Sequence, residues 1–551
     1  MSQALSELRN QVIWTRLIAI VEEQAQTLMR TAFSTTVRDA GDLSAALFDL
    51  EGRLIAEAVT GTPGHVNSMA SGVRHFIERF PLDTMNAGDH FITNDPWLTA
   101  GHLHDVTVVS PAFHDGRLVG LFGVCCHQVD IGGLGQGPDG RSIYEEGIQI
   151  PLMKLASAGD LNEPLLEIIC QNVRTPLQVR GDILSYVTSN NAAIRRLSAM
   201  LTEFAMSDLQ GVADYIVDQS LTASRTEIAQ LPQGSWSSTL TLDGYDHPVT
   251  LRATLTIDGE TVKVDYAGSD PCLPRGINVV LNYARAYTVF ALRCVISPEV
   301  PNNAGALAPF EVTAPEGSIL NVQRPWPVAA RHIIGQMLPD LVFGCLSQAI
   351  PDRVPVEGSS CLWSVQLRGR LPSEEQGRQG DLFDTIFFNS GGSGARPGQD
   401  GLSGTAFPSG VRAMPVEVTE HGAPIVIWRK ELSADSGGAG RLRGGLGQKV
   451  EVAMRDGSPF EVLAMFERVD HPARGRDGGS DGSAGVVRLS TGTLLKGKGR
   501  QEIPAGERLI LEVPGGAGQG DPRDRDRVAV TEDLSEGFIS ADAARAIYGL
   551  A

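Results

Sequence analysis

The sequence predicts an α+β protein of several interleaved domains, with a large β component and separate helical blocks. Three observations lead to this prediction. Apolar residues recur at helical spacing in some stretches, polar and apolar residues alternate in others, and a glycine-rich, strand-like region fills much of the last third of the chain. The two periodicities distinguish helices from strands, because side chains return to the same face about every 3.6 residues in a helix and every second residue in a strand.

The elements predicted first in the chain carry clear local patterns. In order, they are an amphipathic helix over 5–29, two strands within 43–59, a strand, a polar loop and a strand over 88–113, and a buried strand over 117–127. Loops between strands are frequent places for functional side chains. The polar loop within 88–113 and the strand end at His127 are therefore candidate site positions.

The remaining elements alternate between helical and strand-like blocks. They are helices within 161–206, a β-meander with Asp-Gly turns over 235–268, helices over 279–296 and 329–350, glycine-rich strands from 380 to 515, and a short helix over 540–550 behind a charged connector at 519–527. These changes predict four regions: a metal-site region over 1–160, a helical region over 161–232, a mixed β-meander and helical region over 233–380, and a glycine-rich, mostly β region with a C-terminal helix over 381–551.

Composition excludes several classes of protein. The 551 residues include 46 Lys and Arg against 65 Asp and Glu, and this net charge of -19 argues against binding to nucleic acid or to an anionic membrane. The seven cysteines are sparse and form no CxxC pair, which is typical of reduced thiols and predicts a cytoplasmic protein. No apolar run is long enough to cross a membrane. The 62 glycines predict much special backbone geometry.

The densest set of ligand-type side chains lies early in the chain, and its members are Asp39, Asp42, His65, Asp95, His102, His104, Asp105, His127 and Asp130. His102 and Asp105 are three residues apart, so a turn entering a strand can aim both at one point. His127 ends the strand expected to pair with that one. Two imidazoles with one or two carboxylates suit a divalent ion such as Zn, Mn or Fe, which can activate water or polarise a carbonyl.

Simpler interpretations of these residues stay open. The cluster can consist of ordinary loop histidines and turn aspartates, and Asp130 can simply cap a turn. His104 can be a metal ligand or an acid/base group beside the metal. Arg396, in a glycine-rich loop, is a candidate clamp for an anion or carboxylate, or else a surface arginine. The chain contains no GxxxxGK[ST] phosphate loop of its own.

Several long strings resemble one family and occur in the family's order. They include 42-DLSAALFDLEGRLIA-56, 63-PGHVNSM-69, 87-AGDHFITNDPWLTAGHLHDVTVVSP-111, 127-HQVDIGG-133, 145-EEGIQIPLMKL-155, 391-GGSGARPGQDG-401, 435-DSGGAGRLRGGLG-447 and 514-PGGAGQGDP-522. The chain thus resembles the hydantoinase B/oxoprolinase family over nearly its whole length. That family includes the B subunits of N-methylhydantoinase and caprolactamase, the C-terminal half of 5-oxoprolinase, and large subunits of acetone and acetophenone carboxylases.

The resemblance implies roles for individual residues. Carried over by position, the metal ligands are Asp42, His102, Asp105 and His127. His65 lies in a family block that could face the same pocket, and His104 stands where many members have Pro, so these two are the candidate acid/base residues. The candidate substrate-binding residues are Asp130 and Arg396.

The resemblance also implies a partner and a reaction. A separate A-type subunit with an actin-like ATPase fold would phosphorylate the substrate's amide or enol oxygen, so that ATP is used through the partner in a hetero-oligomer. The implied function is the metal-bearing B subunit of an ATP-dependent cyclic amide hydrolase acting on a small molecule. Two alternatives are a subunit of an ATP-dependent ketone carboxylase of the acetone or acetophenone type, and a non-catalytic scaffold of such a complex.

Overall fold

The structure, a computed structural model, describes residues 3–370, 380 and 382–550. It confirms the α+β prediction, because helical blocks and four separate β-sheets follow one another along the chain. Within the described part of the chain, no helix combines the length and the apolar character that crossing a membrane requires.

A seven-stranded antiparallel sheet dominates the first part of the chain, with the strand order β2-β1-β5-β4-β3-β6-β7. Its elements and the helices around it are α1 (Gln3–Thr31), α2 (Thr35–Arg38), β1 (Leu43–Phe48), β2 (Leu54–Glu57), α3 (Pro63–Arg79), β3 (His90–Thr93), β4 (Asp105–His114), β5 (Arg117–His127), α4 (Ile143–Glu146), β6 (Met153–Ser157) and β7 (Asp160–Leu161). The first helix and the strands predicted up to residue 127 are thereby confirmed.

Helices cover both faces of this sheet, so its central strands β1, β4 and β5 are buried along almost their whole length. The helices predicted within 161–206 are confirmed as the first two of α5 (Glu163–Gln171), α6 (Pro176–Glu203) and α7 (Gln210–Ala229). On one face Val124 and Cys126 pack against α6, and on the other Leu121 and Cys125 pack against α3. Alternate side chains of one strand thus enter two different cores.

A four-stranded sheet, with the order β11-β10-β9-β8, forms the next layer. The elements here are β8 (Gly234–Leu242), β9 (Val249–Asp258), β10 (Thr261–Asp265), α8 (Leu281–Ile296), α9 (Ala304–Leu307), β11 (Phe310–Thr313), α10 (His332–Gly335) and α11 (Leu338–Ala349). The predicted meander is confirmed as β8–β10. The block 329–350 contains two helices, since α10 ends before the Gln336–Met337 turn and Pro339 lies in the first turn of α11.

The glycine-rich region contains two more sheets, ordered β13-β12-β16-β18 and β14-β15-β19-β17, which share one hydrophobic core. Its elements are β12 (Trp363–Arg370), β13 (Leu382–Asn389), α12 (Val416–Gly422), β14 (Ile425–Leu432), β15 (Gln448–Met454), β16 (Phe460–Met465), β17 (Val486–Leu489), β18 (Lys498–Ile503), β19 (Leu509–Glu512), α13 (Arg527–Ser535) and α14 (Ala541–Ala546). The terminal helix is confirmed as α14. Helix α13 was not predicted; Asp526 caps it by accepting the backbone N–H of Val528 at 3.2 Å.

The glycine excess has a physical explanation in three loops that pack backbone against backbone. The loops are 391–401, 436–447 and 514–522, and they exchange hydrogen bonds such as Gly438 N–H to Gly516 O at 2.8 Å. A Cβ at Gly392 would lie 1.8 Å from the carbonyl oxygen of Gly445. These glycines therefore permit a contact too close for any side chain, and they hold the loops together instead of loosening them.

Candidate metal and substrate site

The pairing of β4 with β5 places Asp105 directly opposite His127. Asp105 is the first residue of β4 and His127 is the last residue of β5, so both side chains lie at the same end of the sheet. Nδ1 of His127 lies 3.1 Å from Oδ1 of Asp105. The prediction that His127 ends a strand beside this position is confirmed, although the sequence could not show which atoms meet.

His102 reaches the same carboxylate oxygen from the turn that precedes β4. Its Nε2 lies 2.8 Å from Oδ1 of Asp105, and its Nδ1 lies 2.8 Å from the carbonyl oxygen of Ala329. Because a carbonyl can only accept, Nδ1 carries a proton and donates it to Ala329, so Nε2 is the nitrogen that faces Asp105 and the cavity. Glu146 in turn holds the segment that carries Ala329, since its Oε1 accepts the N–H groups of Val328 and Ala329 at 2.7 and 2.8 Å.

The second oxygen of Asp105 faces Arg331 and His65. Nη2 of Arg331 donates to Oδ2, and Nε2 of His65 lies 2.9 Å from the same atom. Arg331 is itself held by the carbonyl oxygen of Ala100, 2.7 Å from its Nε, and its Cζ lies 3.9 Å from the ring centroid of Tyr283. Oδ1 of Asp105 thus faces His102 and His127, whereas Oδ2 faces His65 and Arg331.

Charge and burial give the site residues distinct protonation states. Burial, followed by the charge of Arg331, lowers the pKa of His102 to about 3. Burial acts to raise the pKa of Asp105, but His102, His65 and Arg331 outweigh it and hold the pKa well below its usual range. Burial acts to lower the pKa of His65, but Asp105 outweighs it and raises the pKa. A neutral imidazole and an ionised carboxylate are the forms that bind a metal.

The donor set fits a divalent cation. One ligand atom each from His102, Asp105 and His127 lies within 4.8 Å of the others, all three residues are buried, and the second nitrogen of His102 is fixed by a carbonyl. Two imidazoles and a carboxylate are a common set for Zn, Mn or Fe. His65, Asp105 and Cys125 form a second such group. Burial, with Asp105 adding to it, raises the pKa of Cys125 well above that of an ordinary thiol, which disfavours the thiolate this group needs.

The site residues line a small cavity of about 40 Å³ together with Asp42 and His65. Asp42 lies just before β1, and its Oδ1 is 3.7 Å from Nε2 of His65. Neither of the two ligand groups found among the described residues includes Asp42. The structure therefore brings all four predicted ligands to one cavity, with three of them converging closely.

Three other predicted residues lie outside the described lining of this cavity. The ring of His104 stacks at 5.3 Å on that of His127, but its Nδ1 has no hydrogen-bond partner within the described chain. Asp130 accepts the N–H of Gly132 at 2.9 Å and pairs with Arg174 at 2.7 Å, which ties down its own loop. Arg396 lines a separate cavity of about 130 Å³ and donates from Nε to the carbonyl oxygen of Asp400.

Several residues of the cavity were not predicted. They come from distant parts of the chain and are Gln136, Tyr283, Tyr287, Arg331, His332 and Gln336. One sequence signal could have pointed to some of them: Arg331 and His332 are adjacent basic residues in the apolar block 329–350. A buried charged residue in such a block needs a partner, and here the partner is Asp105.

Taken together, the fold and the cavity define a multidomain α+β protein with a buried His–Asp–His cluster of the metal-binding type. This chain belongs to the hydantoinase B/oxoprolinase family, whose sequence model matches residues 6–522.

Individual relatives align with this chain over almost its full length. The chain is 28% identical to caprolactamase subunit beta of Pseudomonas jessenii, over 96% of this chain and 93% of that protein. The crystal structure of the ATP-dependent caprolactamase from Pseudomonas jessenii superposes with a TM-score of 0.87 at 25% identity, covering 98% of this chain and 96% of the other. A nucleotide-free acetone carboxylase structure, at 19% identity and a TM-score of 0.85, covers 98% and 79% and shares the fold.

Proposed function

We propose that this chain is the metal-bearing B subunit of an ATP-dependent cyclic amide hydrolase of the hydantoinase, oxoprolinase or lactamase type. The observation that carries the proposal is the convergence of His102, Asp105 and His127 on one small buried cavity. The relationship to caprolactamase subunit beta supports the amide as the substrate class and ATP as the energy source.

In this proposal a separate A-type subunit transfers the phosphoryl group of ATP to the oxygen of the ring amide. Phosphorylation makes the amide carbon electrophilic. Water then adds to that carbon, the ring C–N bond breaks, and the nitrogen leaves with a proton. Hydrolysis of the resulting acyl phosphate releases the carboxylate and inorganic phosphate, so the net products are an open-chain amino carboxylate, ADP and phosphate.

The residues of this chain would have separate roles at the site. His102, Asp105 and His127 would hold the divalent ion, with Asp42 at the same cavity, and the bound ion would supply Lewis acidity that activates water near neutral pH. Arg331 keeps Oδ2 of Asp105 engaged and so directs Oδ1 toward the histidines. His65, whose raised pKa favours a proton on its ring, is placed to deliver that proton to the departing nitrogen.

Purification of the chain with an A-type partner would test the proposal. We expect stoichiometric metal in the complex, together with ATP-dependent ring opening of a hydantoin or lactam without bicarbonate. The variant His102→Ala should lose both metal and turnover. The matched control His75→Ala removes an exposed histidine paired with Glu78 and should retain both. Full turnover in a metal-free His102→Ala complex would leave only the scaffold alternative, and bicarbonate-dependent consumption of a ketone would establish the carboxylase alternative.

A further inference from the structure

Gln136 is a buried side chain with a polar atom that no group in the described part of the chain satisfies. It lies in the loop between β5 and α4, it is 5% exposed, and it lines the cavity that contains His102, Asp105 and His127. Its Oε1 has no hydrogen-bond partner in the described part of the chain. The same is true of Nε2 of His332, which is also 5% exposed and lines the same cavity.

A buried polar atom without a hydrogen-bond partner destabilises the folded protein, so its presence in a cavity points to a ligand that supplies the partner. About nine in ten buried polar groups in proteins have a partner, and an unsatisfied one destabilises the folded state by about 1–3 kcal/mol. The cavity has a volume of about 40 Å³, which is room for about three waters or for the reacting group of a small ring. A ligand that enters this cavity can therefore donate a hydrogen bond to the unpartnered Oε1 of Gln136.

The chemistry of Gln136 restricts what that ligand is. A side-chain carboxamide is neutral at every pH; its nitrogen donates hydrogen bonds and its oxygen only accepts them, and in Gln136 the oxygen is the atom without a partner. A secondary cyclic amide carries an N–H beside its carbonyl, whereas a ketone or an N-alkylated amide does not. If the amide oxygen is phosphorylated while the ring nitrogen keeps its proton, the C–N unit gains positive charge, and an acceptor on that N–H stabilises it.

We infer that Gln136 accepts a hydrogen bond from the ring N–H of the substrate and thereby restricts the site to secondary cyclic amides. This inference rests on the proposed function and deepens it by naming the substrate class. A site built to hydrogen-bond one group discriminates strongly against an analogue that lacks it, because the buried acceptor is then left without a partner.

The test compares valerolactam with N-methylvalerolactam, using the complete complex with ATP and, for binding, calorimetry of the same complex. The wild-type complex should prefer the N–H form at least tenfold in both measurements. Gln136→Leu should lower kcat/KM for valerolactam by about the same factor and bring the preference close to unity. Its Tm should stay level or rise, because the substitution removes an unpartnered polar group.

Gln24→Leu is the matched control. Gln24 is 1% exposed and also has a buried Oε1 without a partner among the described residues, but it lies on α1, and its Nε2 donates to Oδ1 of Asn190 at 2.7 Å. This variant should lower the Tm and keep the wild-type preference for N–H.

Three results distinguish this inference from a purely structural role of Gln136 and from a failure of the proposed function. A wild-type preference that persists in Gln136→Leu overturns the inference, and so does a loss of Tm as large as that of Gln24→Leu. Gln136→Met repeats the test should the leucine variant not fold. If valerolactam binds with the expected N–H preference but neither it nor any other cyclic amide is hydrolysed with ATP, the proposed function fails, and this result differs from the loss of N–H preference that tests Gln136.

Discussion

Asp105 and Arg331 form an ion pair in which both side chains are almost completely removed from solvent, with exposures of 0% and 4%. The two residues are 226 positions apart in the chain, and their contact joins the seven-stranded sheet to the segment before α10. A buried ion pair contributes little net stability when intact, but loss of one partner leaves a charge that water cannot reach.

The first prediction concerns this pair. Arg331→Met should destabilise the metal-free protein by about 3–5 kcal/mol, because the Asp105 carboxylate loses a buried cationic partner. Thermal unfolding in the presence of a chelator measures the effect. Arg324→Met is the matched control: Arg324 pairs with Asp95 at 2.5 Å but is 43% exposed, so its loss should cost about 1 kcal/mol or less. Equal shifts in Tm for the two variants would contradict this account.

A second prediction concerns how closely α3 approaches the tyrosines of the cavity. A Cβ at Gly64, the second residue of α3, would lie 2.7 Å from Cε2 of Tyr283 and 2.9 Å from Cε2 of Tyr287. Gly64→Ala should therefore displace these rings and destabilise the protein by about 1–3 kcal/mol.

Gly211 offers a control at the equivalent position of another helix. It is the second residue of α7, and a Cβ there meets nothing within 4 Å. Gly211→Ala should raise stability by up to about 1 kcal/mol, since alanine favours the helix. Thermal unfolding should move in opposite directions for the two alanine variants, and a Gly64→Ala protein as stable as wild type would contradict the predicted crowding.

A third prediction follows from Glu146. Burial raises the pKa of Glu146 from 4.5 to about 8. The folded protein thus holds this proton more tightly than the unfolded chain does. The contribution of Glu146 to stability must then fall as the pH rises from about 4.5 to about 8, by at most about 1.4 kcal/mol per pH unit, and stay level above that.

Glu146→Gln isolates this contribution, because the amide keeps an acceptor for Val328 and Ala329 but cannot ionise. The Tm of the variant and that of wild type should be similar near pH 5. As the pH rises to about 8, the Tm of the variant should rise relative to that of wild type. Parallel Tm profiles over this range would show that Glu146 does not hold its proton in the folded state.

The fourth prediction separates the two possible ligand groups. Chelation should lower the Tm of wild type, and Zn or Mn at a hundredfold excess over its Kd should restore about 2.7 kcal/mol of stability. His127→Ala should abolish this response. Cys125→Ala should keep it, because the raised pKa of Cys125 leaves a protonated thiol that is a poor ligand. A metal response lost in Cys125→Ala and kept in His127→Ala would assign the ion to the other group.

Local patterns sufficed for much of the fold and for the centre of the site. The long first helix, the strands around His127 and the meander over 235–268 follow from periodicity, which nearby residues determine. His102 and Asp105 are three residues apart and His127 ends the neighbouring strand, so their convergence needed nothing beyond one hairpin. The position of Asp42 follows from the pairing of β1 with β5, in which Leu43 lies opposite Cys126.

The surroundings of the ligand cluster depend on contacts between distant segments. Tyr283 and Gln136 carry no local pattern that points to the cavity, and the contacts of Asp130 with Arg174 and of Arg396 with the carbonyl of Asp400 are visible only in the fold. Periodicity indicates which face of a helix or strand is buried, but it does not indicate which distant segment packs against that face. Those contacts depend on how the helices and sheets pack in three dimensions, and this packing leaves Oε1 of Gln136 without a partner at a cavity it shares with His102 and His127.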